Sequence, residues 1–187
     1  MTTPTPIDWP PLIAGQPALD LLNTLTLENG ALVEHLGDDA DAANWLSRVT
    51  GAAQAPQPHL AERARELREA IRAAIEARKQ ERAVDLAPLN ALLARMHSHV
   101  VLQATESGYA LHRAPLGEAA WLALAPLGEA AARLMAEVDF GLVRQCEHSE
   151  CVLWFHDTTK SHRRRWCSMA LCGNRHKVSE FRKRRGG

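Results

Sequence analysis

Four cysteines stand in two matched pairs, CEHSEC and CSMALC, at positions 146, 151, 167 and 172, with fifteen residues between the pairs. Two C-x4-C knuckles joined by a hairpin-sized insert can bring four thiolates to one point, which is how zinc is held tetrahedrally in structural sites. Redox dithiols favour a two-residue spacer, which neither pair has. A reducing compartment also disfavours stable disulfides, so clustered cysteines there point to metal. The spacing predicts one structural Zn2+ on Cys146, Cys151, Cys167 and Cys172, with His148 or His176 as the nearest substitutes. Four thiolates close the coordination shell. No HExxH, Ser/His/Asp order or phosphate-cradling glycine loop occurs in the chain, so an enzyme is not expected.

The residues around the cysteines are basic. From Arg144 to Gly187 there are eleven Lys/Arg against four Asp/Glu, a surplus of seven positive charges, and the preceding residues carry the opposite surplus. A neutral average thus hides a polyanion-binding end. Candidate nucleic-acid contacts are Arg163, Arg164, Arg165, Arg175, Lys177, Arg182, Lys183, Arg184 and Arg185, with Arg175 and Arg182 able to reach bases or phosphates and the arginine run positioning phosphates. Trp154, Phe155, Trp166 and Phe181 are expected in a mini-core around the metal more than as base-stacking platforms.

The elements that must position these groups follow from local signals. VLWF reads as a strand, DTTKSH as a turn and RRRW as a returning strand. Ser168 can cap a helix that carries Cys172 in its opening turns and runs to about Arg184. Val178 and Phe181 share a stripe expected to pack on that hairpin.

The acidic part reads as mainly helical. GQPALDLLNTL suits a short helix with Leu19, Leu22 and Leu25 inward. Asp38 and Gly51 bracket a second helix, and HLAERARELREAIRAAIEARKQ is a long amphipathic third. A fourth should start after Asp85, with Pro88 in its first turn, and end near Ser98. Val100–Leu102 and Tyr109–Leu111 resemble a hairpin around Ser107 and Gly108. Residues 117–138 look helical, with Pro126 expected to kink or split them.

The expected class is α+β, mostly helical. An N-terminal helical domain with a β-hairpin occupies 1–140, and a small treble-clef-like zinc finger of knuckle, β-hairpin and basic helix occupies 141–187. The start MTTPTPIDWPPLIAG has no signal-peptide pattern and no long apolar run occurs, so a cytoplasmic protein without membrane contact is expected.

With CGNR at Cys172–Arg175, preceded by LWFHDTTK and RRRWCSMALC, the C-terminal part resembles the CGNR zinc finger. The front part resembles the ABATE domain that accompanies it, through Asn23 and Thr24 in ALDLLNTL. The resemblance implies a bacterial protein with a four-cysteine zinc site and a stress-linked role in transcription, although some descriptions class the finger as RNA-binding.

Asn23 and Thr24 are expected either to bond backbone groups at a helix end or to line a small-molecule pocket. Gly173 would permit close packing beside the metal, and Asn174 would orient a ligand or the knuckle backbone. The reading is a zinc-dependent DNA-binding regulator, with DNA favoured over RNA, a homodimer to supplement the weak specificity of one finger, and a small-molecule effector. The alternatives are an RNA-binding protein and a protein-interaction module with purely structural zinc.

Overall fold

The computed structural model describes residues 10–185; most of the stretch on which the leader argument rests, 1–9, lies outside them, as does the side chain of Lys183. The architecture is α+β, with six α-helices and three two-stranded antiparallel sheets among the described residues. None of these helices is long and apolar enough to cross a membrane. The chain forms two compact units, one from 36–133 and the other from 10–35 together with 134–185. The order of elements is α1 (Pro17–Leu22), β1 (Leu25–Glu28), β2 (Ala31–Glu34), α2 (Asp39–Thr50), α3 (Leu60–Lys79), α4 (Ala87–Leu93), β3 (Ser98–Thr105), β4 (Gly108–Pro115), α5 (Ala119–Glu137), β5 (Val143–Gln145), β6 (Trp154–His156) and α6 (Asn174–Arg185).

In the first unit Asp38 caps α2 by accepting the Asp41 amide at 2.9 Å, and Gly51 ends it in the left-handed conformation. His59 supplies no side-chain cap to α3. Asp39 does so from α2, accepting the His59 and Ala61 amides at 3.1 and 2.9 Å. The apolar stripes meet as expected: Trp45 and Leu46 of α2, Leu60, Leu67, Ile71 and Ile75 of α3, and Leu89 and Leu92 of α4 are all buried.

One expectation is corrected in this unit and two are sharpened. Helix α4 stops at Leu93 and not near Ser98, because Ser98 already pairs with Pro115 in the β3–β4 ladder. That hairpin is longer than its apolar residues suggested and leaves Leu102, Tyr109 and Leu111 exposed. Helix α5 passes through Pro126 unsplit. A proline inside a helix costs about 3 kcal/mol, and the buried Trp121, Leu124 and Leu127 around it supply the offsetting burial.

The second unit is built from both ends of the chain. Helix α1 ends at Leu22, where the Thr24 hydroxyl donates to the Leu21 carbonyl at 2.7 Å, so Leu25 does not extend the helical stripe. Leu25 instead opens β1. Asn29 and Gly30, at φ 51° and 81°, make the two-residue turn of a hairpin with both central residues left-handed. The alternation in LTLE followed by an Asn-Gly turn carries this signal in the sequence.

Candidate metal centre

Strand β5 leads into Cys146, whose amide donates to the Leu153 carbonyl at 2.8 Å; the Cys151 amide donates to the His148 carbonyl at 3.0 Å and closes the first knuckle. His148 Nδ1 accepts the Glu150 amide at 3.1 Å, so this imidazole serves the knuckle. The second knuckle is capped by Ser168, whose hydroxyl accepts the Ala170 and Leu171 amides before a π-helical turn, Met169–Gly173, carries Cys172 into α6. The Glu147 amide donates to the Arg165 carbonyl at 3.1 Å and ties one knuckle to the other.

All four Sγ atoms lie within 4.8 Å of one another. Cys151 and Cys167 are 3.8 Å apart, and Cys167 and Cys172 3.5 Å. Sulfurs bound tetrahedrally at about 2.3 Å stand roughly 3.8 Å from each other, so the donor set fits one zinc ion. Cys146, Cys167 and Cys172 are buried and Cys151 half-buried. Four sulfurs crowded this closely oppose one another's ionisation, because each thiolate disfavours a second negative charge beside it. A bound dication resolves this conflict by holding all four as thiolates.

The strand pairing inside the finger departs from expectation. Strand β6 pairs with β5, Arg144 facing Phe155, whereas residues 163–166 form no strand. The cause is Asp157, which is fully buried. Its Oδ1 accepts the Thr159 amide and hydroxyl at 3.0 and 2.6 Å, and Oδ2 accepts the Arg164 amide at 2.8 Å, so the segment after β6 is folded around a carboxylate. Burial raises the pKa of this carboxyl, but the bonds from Thr159 and Arg164 and the charge of Arg144 outweigh it and hold it below its ordinary value.

The three consecutive arginines are not equivalent. Arg163 and Arg165 are exposed, Arg165 pairing with Glu147 at 2.5 Å and lying 4.9 Å from the Trp166 ring centroid. Arg164 turns inward. Its guanidinium lies 4.2 Å from the Phe155 ring centroid and donates to the carbonyls of Trp166 at 3.0 Å, Ile13 at 3.1 Å and Cys167. Desolvation lowers the pKa of this group, with Cys167 and Asp157 opposing the shift.

On α6, Arg175, Lys177, Arg182, Arg184 and Arg185 are all exposed. Val178 and Phe181 do not pack on the hairpin as expected; they are 49% and 55% exposed, with the Arg185 guanidinium 4.6 Å from the Phe181 ring centroid. The place beside the metal is already taken by Leu153 and Phe155, both buried, with Ile13, Trp166 and Leu171 packed against them. The base of α6 is held by His176, whose ring stands 4.7 Å from that of Trp166. Gly173 is buried, and a Cβ there would lie 2.6 Å from the Met169 sulfur, so a larger residue would require that exposed side chain to move. Asn174 is exposed.

Three residues near the N-terminus belong to the same unit. Asn23 and Thr24 are fully buried. Asn23 Nδ2 donates to the Trp154 carbonyl at 2.9 Å and its Oδ1 accepts the Trp154 amide at 2.7 Å. The Asp20 carboxylate accepts the amides of Ile13 and Ala14, both at 2.9 Å. Burial raises its pKa to about 6, against the opposing influence of those amides and of Arg164. Nothing in the sequence pairs Asn23 with a residue so far along the chain.

Beside Cys151 a cavity of about 550 Å3 opens between the β1–β2 hairpin and the knuckles, with Thr26, Glu28, His35, Val152 and Arg175 on its walls. Thr26 is 2% exposed, and its hydroxyl donates to Glu28 Oε1 at 3.0 Å. That leaves Thr26 Oγ1 to accept from His35 Nε2 at 2.9 Å.

The family model for ABATE, described as "Putative stress-induced transcription regulator", matches residues 15–138, and that for the CGNR zinc finger matches 143–185. No curated protein matches the chain. With two thirds of its length under the first model and its four cysteines gathered under the second, the chain belongs to the ABATE family and carries a CGNR zinc finger that holds one zinc ion.

Proposed function

We propose that this protein is a cytoplasmic, zinc-dependent transcriptional regulator that binds DNA through its C-terminal finger. One observation carries the reading: α6 is a twelve-residue helix with five described basic side chains exposed, and Cys172 lies in the turn at its root. The zinc site fixes the base of this helix and leaves its length accessible. An isolated helix of this width fits the major groove of B-form DNA, whereas the deep, narrow major groove of A-form RNA excludes it. Arg175 and Arg182 are assigned to bases or phosphates, and Arg163, Arg165, Lys177, Lys183, Arg184 and Arg185 to phosphates. Arg164 is left out because its guanidinium is committed to carbonyls of the finger.

In this reading residues 141–187 contact DNA and residues 1–140 sense an effector or mediate self-association. The cavity lined by Thr26 and His35 is a suitable place for a small molecule. A homodimer would supply the specificity that one helix lacks. The zinc is structural, since four thiolates leave no open position for catalysis.

The exposed Phe181 favours a second reading, in which α6 stacks on unpaired RNA bases. One titration separates the two. Zinc-loaded protein is added to labelled duplex DNA and to single-stranded RNA at several salt concentrations, with anisotropy as the readout. Preference for duplex, with a slope of log affinity against log salt near −5 for about six phosphates, supports the regulator. Preference for RNA supports the second reading, and no binding to either at low salt overturns both.

A further inference from the structure

The boundary between the two family matches falls after residue 138, yet the metal-bearing unit draws on residues far ahead of it. Beta strand β6 is the point of attachment. Asn23 acts there as a backbone mimic, satisfying both the amide and the carbonyl of Trp154 from within a fully buried position. Two residues on, the His156 amide donates to the Ala14 carbonyl at 2.8 Å, so β6 gains a second anchor on the N-terminal segment. The Leu153 carbonyl, one residue before Trp154, is the acceptor for the ligand Cys146.

The second knuckle is reached by a different route. Arg164 bridges the Ile13 carbonyl and the carbonyl of the ligand Cys167. Ile13 also packs on the apolar cluster that contains Cys146, Cys167 and Cys172. Asp20 holds Ile13 and Ala14 in place through their amides. Each cysteine pair is therefore connected, within two or three bonds, to a residue between 13 and 23.

Groups that orient metal ligands from outside the coordination shell commonly change metal retention by ten- to a hundredfold when removed. We propose that the zinc site is composite: Asn23 and Arg164 are positioning residues that fix the two cysteine knuckles to residues 13–23, and metal retention depends on this N-terminal segment. The inference stands apart from the DNA-binding reading, because it concerns how tightly zinc is kept and not what α6 touches.

The test uses the full chain with zinc bound. Asn23→Ala, Asn23→Asp, Arg164→Ala and Arg164→Lys are compared with the wild type and with Arg163→Ala, an exposed control from the same arginine run. Transfer of zinc to a chromophoric chelator gives the rate of metal loss, and the visible absorption of the Co2+-substituted protein reports the tetrathiolate geometry. Circular dichroism checks that the helices persist. Zinc loss is expected to accelerate about tenfold or more in Asn23→Ala and Arg164→Ala, with an altered Co2+ spectrum. Arg164→Lys should recover part of the effect, and Arg163→Ala should match the wild type. Folded Asn23→Ala and Arg164→Ala proteins that release zinc at the wild-type rate with an unchanged Co2+ spectrum would overturn the proposal. Should Asn23→Ala not fold, Asn23→Asp decides: it keeps an acceptor for the Trp154 amide and loses the donor to the carbonyl, and an unchanged rate there counts equally against it.

Discussion

Asn23 and Trp154, 131 positions apart in the chain, exchange two hydrogen bonds at 2.9 and 2.7 Å in a place no water reaches. A buried backbone group left without its partner costs about 1–3 kcal/mol. Asn23→Ala orphans two such groups at once, so a loss of about 3 kcal/mol is expected in urea unfolding of the zinc-loaded protein. A change below about 0.5 kcal/mol, the level of an ordinary surface substitution, would show that the pair is not what holds β6.

Asp20 gives a pH dependence of definite sign. Its carboxyl is raised to about 6 by burial, against a usual value of 3.8, so on raising the pH the unfolded chain releases this proton first. Its contribution to stability is complete below the usual carboxylate range and is lost as the pH rises through 6. The stability of the wild type relative to Asp20→Asn should therefore fall by about 2 kcal/mol between pH 4 and pH 7. Denaturant titrations of both proteins across that range check it; parallel curves would contradict the assignment.

Removing the metal should affect the two units unequally. Cys172→Ser, or chelation of the wild type, is expected to abolish nucleic-acid binding and to melt α6 and the knuckles. Helices α2 and α3, whose buried faces lie within 36–133, should keep their signal in circular dichroism. Binding that survives in a protein shown to contain no zinc would remove the finger from the interface.

The arginines should separate by role. Replacing Arg175 and Arg182 together by alanine should leave zinc content unchanged and reduce the salt slope on duplex DNA by about 2. Arg163→Ala should lower the slope by about 1 without effect on stability. Arg164→Ala should instead destabilise the protein, because it strips donors from the carbonyls of Ile13, Trp166 and Cys167. Identical behaviour of Arg163→Ala and Arg164→Ala would refute the inward placement of Arg164.

What could be read from the sequence was what local chemistry decides. The cysteine spacing gave the metal, Asp38 and Gly51 gave the ends of α2, and the long stripe gave α3. The β1–β2 hairpin was legible too, since an Asn-Gly turn follows alternating residues, but the leucines at 19, 22 and 25 also fit a helical period and that reading competes with it. The inward turn of Arg164 had no local signal. It follows from a buried carboxylate at Asp157 and a carbonyl at Ile13, and a run of three arginines reads as one patch of charge until those partners are known. The exposure of Val178 and Phe181 was hidden for another reason: the space their stripe would fill is occupied by Leu153 and Phe155 of the finger itself, with Ile13 from the start of the chain packed against them.

The pairing of Asn23 with Trp154 also orders events in time. During synthesis the first segment emerges from the ribosome well before the last cysteine, and at about 5–20 residues per second the wait lasts roughly 7 to 30 s. Through that interval α1 and its hairpin have nothing to close upon, and the loop to be closed spans most of the chain, an entropic cost that grows slowly with length but must be met before any contact is gained. Closure of the finger thus waits on synthesis of its second cysteine pair, however early residues 13–23 have emerged.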